Sequence, residues 1–395
     1  MTKHISSPFP AAVHSTPGRA SYQHDRHLIH HTPNLSLFLV ADGHGEAPTG
    51  HTVANHIVQT FPALLHTHAT HLANDVRATL RKLILSLDAS AIAATNAARL
   101  YAGSTLCAVL RMGPLLYCAN VGDSRAVVVS ATRVRPLSQD HHCDAPAERA
   151  RIESAGGYVL GGMLNGYISM SRSIGDDDLK AHRNITPFPQ PPGAPNTAKR
   201  QYAQHLLTAE PDVTCTSVEA DDLVSVVASD GVWTKLSNQS VAKLVRTGLS
   251  RGKSAHEIAQ MIVKKAMSKG SRDNITAMVA FLWDDDHLTS CVGPRFARFS
   301  KRSNVQVQVK SVDSVESGLD SRGSEDGDGT SSDAVEACAT EFTLNRETKT
   351  TERVDRVREA PQGRPRPRQR LVRSKMARWK SSSDAWRMRS LSTAN

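Results

Sequence analysis

The chain has 395 residues, a formal net charge of +10, 39% hydrophobic residues and 5% aromatic residues. That length allows one large domain or two ordinary ones, and the low apolar content implies that part of the chain builds no core. No apolar run is long enough to cross a bilayer, Met1-Thr2-Lys3-His4-Ile5 opens no apolar leader, and the six cysteines form no CxxC pair, so membrane insertion, secretion and a disulfide framework are not expected.

Residues 1–17 read as a flexible N-terminal segment, and strand-like and helix-like patterns alternate from about 18 to 285. Leu37-Phe38-Leu39-Val40-Ala41 is the first clear strand. Val53, Ile57, Phe61 and Leu65 have helical spacing, and Val76, Leu80, Leu83, Ile84 and Leu87 mark a longer helix over 75–99. The runs 106–110 and 115–121 flank Met112-Gly113-Pro114 and read as a hairpin. The run 126–129 reads as a further strand, and Thr132-Arg133 turns the chain back. The segment 145–155 predicts a polar amphipathic helix ended by Gly156-Gly157.

Residues 180–206 hold Pro187, Pro189, Pro191, Pro192 and Pro195 and read as a surface loop or insertion. A strand over 223–229, helices over 238–248 and 254–268, and a strand over 275–281 complete the pattern. Mixed clusters of strands and helices predict an antiparallel α+β domain rather than a doubly wound parallel sheet. Residues 286–395 break the pattern. Ser311–Asp333 is rich in Ser, Gly, Asp and Glu, and basic residues follow from Arg364 to Arg389, with Asp384 opposing them. This composition predicts a disordered, basic tail. Much of the net charge sits there, so the basic balance does not describe the domain.

Three aspartates border apolar runs. Asp42 follows the strand 37–41, Asp230 follows the strand 223–229, and Asp273 precedes the strand 275–281. Carboxylates converging at one edge of a sheet repel each other unless a cation lies between them, which points to a hard-metal site. Asp42-Gly43-His44-Gly45 is the sharpest local signal. The aspartate suits bridging of two cations, the glycine brings a carbonyl close, and a histidine suits protonation of a leaving group. Taken alone, the same four residues read equally well as a tight turn with an Asp cap.

Four further strings follow in order: Asn120-Val121-Gly122-Asp123-Ser124-Arg125, Ser171-Arg172-Ser173-Ile174-Gly175-Asp176, Ser229-Asp230-Gly231-Val232-Trp233 and Ser271-Arg272-Asp273-Asn274. With the first string they resemble the motif series of the metal-dependent serine/threonine phosphatases of type 2C, over roughly 19–282. The resemblance implies two antiparallel sheets packed face to face with antiparallel helices outside, and two Mn²⁺ or Mg²⁺ ions at one end. By position it implies that Asp42 bridges both ions, Gly43 lends its carbonyl, and Asp230 and Asp273 hold the first ion. A metal-bound water would attack phosphorus directly, without a phosphoenzyme, and His44 would protonate the serine or threonine oxygen. Asp123 matches a ligand of a weaker third ion, Asp25 a carboxylate that orients water at the metals, and Arg19 the phosphate-gripping arginine.

The chain departs from the family pattern at three places. His24 stands where many members carry a glutamate ligand to the second ion, and imidazole binds Mn²⁺ better than Mg²⁺. Thr234 follows Trp233 where an aspartate is common, so the third ion is expected to be weak or absent. Arg19 lies one residue further from Asp25 than the pattern has it.

The expectation is a monomeric, intracellular protein phosphatase, cytoplasmic and/or nuclear, that acts on phosphoproteins and needs no small-molecule cofactor. The alternative is a catalytically impaired pseudophosphatase that binds phosphoproteins. Nucleic acid is not an expected partner, because no basic-aromatic platform appears outside the tail. The many histidines before residue 75, among them His27, His30, His31, His66, His68 and His71, have irregular spacing and read as compositional bias rather than a zinc site.

Overall fold

Side chains alternate across a strand, so a strand that is apolar at every position must be covered on both faces. The computed structural model, which describes residues 9–46, 48–166, 168–180 and 205–292, covers the apolar runs in that way. The chain starts with β1 (Ala11–Thr16), β2 (Arg26–His31), β3 (Ser36–Ala41) and β4 (Gly43–Gly45), then α1 (Thr52–Thr67), α2 (Ala69–Asn74) and α3 (Val76–Ala97). Next come β5 (Ala102–Ser104), β6 (Leu106–Met112), β7 (Leu115–Val121), β8 (Arg125–Ser130) and β9 (Val134–Pro136). A flank of short elements follows: α4 (Pro146–Ser154), β10 (Val159–Leu160), β11 (Met163–Leu164), β12 (Ile174–Gly175) and α5 (Asp177–Lys180). Last are β13 (Asp212–Ser217), β14 (Asp222–Ala228), α6 (Asp230–Trp233), α7 (Asn238–Ser250), α8 (Ala255–Ser268), β15 (Ile275–Phe281) and α9 (Asp285–Val292).

Two five-stranded sheets, in the orders β1-β15-β14-β8-β9 and β13-β7-β6-β3-β2, form the centre. Their ladders are antiparallel. Between the sheets, Phe38, Val40, Cys107, Val109 and Cys118 meet Ala126, Val128, Val227, Met278 and Ala280. The alternate residues point outward. Leu37, Leu39, Leu106 and Leu110 pack on Ile57 and Phe61 of α1 and on Leu80, Leu83 and Leu87 of α3. Val127, Val224, Val226 and Val279 pack on Val241 and Val245 of α7 and on Ile258 and Ile262 of α8. The result is the expected α+β sandwich with helices on both outer faces. Helix entries follow local chemistry: Asp75 caps α3 by accepting the Ala78 N–H, and Ser254 with Glu257 forms a capping box on α8.

The strand registers decide where the aspartates meet. Arg26 pairs with Ala41 across β2 and β3, so Asp25 and Asp42 leave one sheet side by side. Ala228 pairs with Ala277 across β14 and β15, so Asp230 and the Asp273-Asn274 turn leave the other sheet together. Asp123 lies in the turn from β7 in one sheet to β8 in the other.

Two domain boundaries differ from the sequence reading. The segment 1–17, expected to be flexible, contains β1, which pairs along its whole length with β15 from Ala11↔Ala280 to Thr16↔Ile275. The boundary expected at 285 falls at the start of α9, whose Leu288 is fully buried in the core under α7 and α8. The strands β2 and β13 were also not foreseen. The expected proline loop and basic tail lie, apart from their ends, outside the described residues. Deleting residues 1–16 removes the partner of the β15 edge and exposes its unpaired backbone groups. The expected outcome is a thermal midpoint lowered by at least several degrees, measured by calorimetry, and an unchanged midpoint contradicts the role of β1.

Candidate metal centre

Asp42 follows β3 directly, and its backbone is clamped to the neighbouring strand. Its N–H donates to Thr105 Oγ1 at 3.0 Å, and its carbonyl accepts from the Thr105 N–H at 2.9 Å and from Ser104 Oγ at 3.1 Å. Gly43 is buried and pairs with Ser104 across β4 and β5. Asp25 is held on one oxygen by Ser229 Oγ at 2.8 Å and Thr276 Oγ1 at 2.6 Å. These two hydroxyls come from the opposite sheet, so Asp25 ties the sheets together. Asp230 opens α6, and Asp273 accepts the Asn274 N–H at 2.8 Å on an exposed turn.

Electrostatics show that the five aspartates form one cluster. Burial first, then repulsion from Asp25, Asp230, Asp273 and Asp123, pushes the Asp42 carboxyl well above the usual carboxylate range. Burial and repulsion from Asp123, Asp273 and Asp25 do the same to Asp230. Asp25 rises to about 6, because burial outweighs its hydroxyl donors. Burial also raises Asp123, while His142 opposes the rise. Asp25 and Asp230 are the carboxylates that repel Asp42 most, which places it at the centre.

His24 lies beside this cluster. Its N–H donates to Asn274 Oδ1 at 2.6 Å, and its ring stacks on Tyr22 with centroids 6.3 Å apart. The ring also fills the space at Gly50, where an added Cβ would come within 2.7 Å of His24 Cε1. Burial, then the nearby His51, lowers its basicity and favours the neutral imidazole, the form that binds metals. His44 is on β4, with Nε2 at 2.7 Å from Asp176 Oδ2. Arg19 is exposed on the turn after β1. Thr234 is exposed at the end of α6, while Trp233 donates to the Ala228 carbonyl and packs into the core.

The donor set fits hard divalent cations. Asp25 Oδ1, Asp230 Oδ1 and His24 Nε2 are buried and meet no hydrogen-bond partner, an expensive condition for polar atoms that a cation relieves. Among the described residues no three such side chains already stand as a finished coordination shell. The fit therefore rests on charge and on those buried atoms, and cation binding requires the carboxylates to adjust.

Several supporting residues show no role of their own in the sequence, even where they stand in the motif strings. Ser229, Thr276 and Thr105 brace Asp25 and Asp42. Asn274 Nδ2 donates to the Pro17 and Tyr22 carbonyls, at 3.2 and 2.9 Å, and fastens the loop that carries Arg19, His24 and Asp25. Asp176 reaches His44 from 132 residues away. The adjacency of Ser229 to Asp230 and of Asn274 to Asp273 is a clue, but nothing in the spacing reveals the Asp176 contact.

The family model of protein phosphatase 2C matches residues 13–275. Protein phosphatase 2C homolog 3 of Schizosaccharomyces pombe is 33% identical over 259 residues, covering 64% of this chain and 58% of that protein. The probable protein phosphatase 1N of Homo sapiens is 32% identical over 248 residues, covering 62% of this chain and 54% of that protein. The matched region thus spans little more than half of either relative. Among solved structures, a phosphatase from a pathogenic strain of Toxoplasma gondii has a TM-score of 0.55 at 24% identity, covering 69% of this chain and 93% of that one. A C. elegans sex determining protein has a TM-score of 0.58 at 23% identity, covering 73% of this chain and 68% of that one. These two likenesses concern the fold.

A ligand that binds only the folded state raises its stability, by about 2.7 kcal/mol at a hundredfold excess over Kd. Millimolar Mn²⁺ is expected to raise the thermal midpoint of the full chain by several degrees. Asp230→Asn is expected to reduce that rise by more than half, as measured by differential scanning fluorimetry.

Proposed function

The chain belongs to the protein phosphatase 2C family, and on that premise we propose that it hydrolyses phosphoserine and phosphothreonine in proteins with the help of two divalent cations, Mn²⁺ or Mg²⁺. The observation that carries this reading is the convergence of Asp25, Asp42, Asp123, Asp230 and Asp273, from separate turns of both sheets, into one repelling cluster. Asp42, at the centre, would be the shared ligand. Asp230 and Asp273 would hold the first cation, and the Gly43 carbonyl and His24 the second. Bound cations would supply Lewis acidity, producing hydroxide from water near neutral pH and offsetting phosphate charge.

The chain's own residues do the rest. Asp25, fixed by Ser229 and Thr276, accepts a hydrogen bond from the attacking water and orients it. Attack is directly on phosphorus, so no side chain becomes phosphorylated. His44 gives its proton to the seryl or threonyl oxygen as the phosphorus–oxygen bond breaks. Arg19, exposed beside the cluster, is free to swing onto phosphate oxygens with its planar guanidinium. A third, weak cation would have Asp123 alone, because Thr234 supplies no carboxylate.

The family relatives lend no support to an impaired phosphoprotein-binding module. We place the protein in the cytoplasm, the nucleus or both, and as a monomer. The free thiols of Cys107, Cys118, Cys143, Cys215 and Cys291 support a reducing compartment. Among the described residues no helix is long and apolar enough to cross a membrane.

On a phosphothreonine peptide, turnover is expected only with added cation, and faster in Mn²⁺ than in Mg²⁺ because imidazole disfavours Mg²⁺. Equal initial rates in the two metals would count against the role of His24. Asp230→Asn is expected to lower kcat/KM on p-nitrophenyl phosphate by at least about a hundredfold, by loss of metal catalysis, with an intact circular dichroism spectrum. Full activity in that variant would remove the mechanism.

A further inference from the structure

Gly43 is a point where separate stretches of backbone come together. A Cβ there would lie 2.5 Å from the Gly50 carbonyl oxygen, 2.9 Å from the His24 carbonyl oxygen and 3.2 Å from the His51 Cα. Two histidines therefore stand beside the glycine whose carbonyl is the oxygen proposed for the second cation. Their rings are neighbours, with centroids 6.4 Å apart and planes tilted by 32°. His51 enters this corner from the short helical turn that leads into α1.

Each ring has a nitrogen lone pair to offer. His51 Nδ1 lies 2.9 Å from the Pro48 carbonyl oxygen. A carbonyl only accepts, so in the neutral ring Nδ1 carries the proton and Nε2 keeps its lone pair. A histidine that binds a metal through one nitrogen commonly donates its other N–H to a carbonyl in this way. His24 stacks on the Tyr22 ring and fills the space that Gly50 leaves. Its Nε2 is buried and meets no hydrogen-bond partner. A pair of rings packed for structure alone would not need to leave a buried nitrogen unsatisfied, a condition that costs free energy. A cation held by both rings removes that cost. With metal–nitrogen bonds of about 2.0–2.1 Å, the two nitrogens would stand at most about 4 Å apart, a gap that neighbouring rings take up by rotation about their side-chain bonds.

We propose that His51 joins His24 as a ligand of the second cation, an inference that rests on the reading of His24 as a ligand. With the Asp42 carboxylate and the Gly43 carbonyl, the donor set becomes two imidazole nitrogens and two oxygens. Mg²⁺ favours oxygen ligands, whereas imidazole suits transition ions. The second position therefore takes Mn²⁺ in preference to Mg²⁺, and Fe²⁺ or Zn²⁺ more tightly than Mn²⁺. The first position, with the carboxylates of Asp42, Asp230 and Asp273, suits Mn²⁺ and Mg²⁺ alike.

The test uses the full chain, stripped of metal and loaded with two equivalents of Mn²⁺. Pulsed electron paramagnetic resonance reads the coupling of Mn²⁺ to directly bound imidazole nitrogen, and titration followed by the same resonance gives the affinity of each ion. The native protein is expected to show nitrogen coupling. His51→Ala and His24→Ala should each reduce its depth, and the double variant should abolish it. His51→Ala should also weaken one of the two ions by at least about tenfold, since even the loss of a group behind a ligand costs about that much, and leave the other ion unchanged. Unchanged coupling and affinities in His51→Ala, with coupling abolished in His24→Ala, overturn the inference and leave His24 as a ligand. No nitrogen coupling in the native protein, or coupling that persists unchanged in the double variant, overturns the reading of His24 and the inference with it. If His51→Ala fails to fold, His51→Phe, which keeps the bulk of the ring without its nitrogens, decides by the same two readouts.

Discussion

Mutual repulsion among clustered carboxylates is the constraint around which this domain is arranged. Each sheet contributes a pair at one end of the sandwich, Asp25 with Asp42 and Asp230 with Asp273, and the registers of β2 with β3 and of β14 with β15 set both pairs. Charges taken out of water cost several kcal/mol each unless compensated. The compensation is partly local: Ser229 and Thr276 donate to the Asp25 carboxylate, while Thr105 and Ser104 hold only the Asp42 backbone. These groups do not neutralise the cluster, and Asp42 and Asp230 remain pushed toward the protonated form. A cation is the simplest agent that removes the remaining penalty, and the proposed chemistry follows from that need.

The same constraint explains the tethering of the N-terminal loop. Asn274 adjoins Asp273 and holds the Pro17 and Tyr22 carbonyls and the His24 N–H. One side chain thus links the turn bearing Asp273 to the segment bearing Arg19, His24 and Asp25. β1, which leads into that segment, lies against β15, which leads out of Asn274. The strand that was read as a flexible arm therefore belongs to the support of the site.

What could be read from the sequence follows burial. Strands β3, β6, β7, β14 and β15 are covered on both faces, so their residues form apolar runs that are visible without a structure. Strands β1, β2 and β13 are edge strands. Their sequences, such as Arg26-His27-Leu28-Ile29-His30-His31, are half-exposed and polar, so they give no such run. His27, His30 and His31, read as compositional bias rather than a zinc site, lie on β2, where His31 Nδ1 pairs with Ser36 Oγ at 2.8 Å. Asp42, Asp230 and Asp273 were legible because each borders a buried strand, whereas Asp25 borders the half-exposed β2 and was legible only through the resemblance. His44 was legible as a candidate, but its contact with Asp176 was not, since it depends on a three-stranded sheet that assembles only when residues 43–45, 102–104 and 174–175 fold together. The exposed placement of Arg19 depends likewise on the loop and not on its spacing from Asp25.

The central claim is that Asp42 is shared by two cations within one carboxylate cluster. Counting bound Mn²⁺ by electron paramagnetic resonance, in the full chain and in Asp42→Asn, tests it directly. The account predicts two tightly bound ions in the native protein and loss of both in the variant, because one carboxylate serves both positions. Native protein that binds no ion, or an Asp42→Asn variant that keeps the native stoichiometry and affinity, would contradict it.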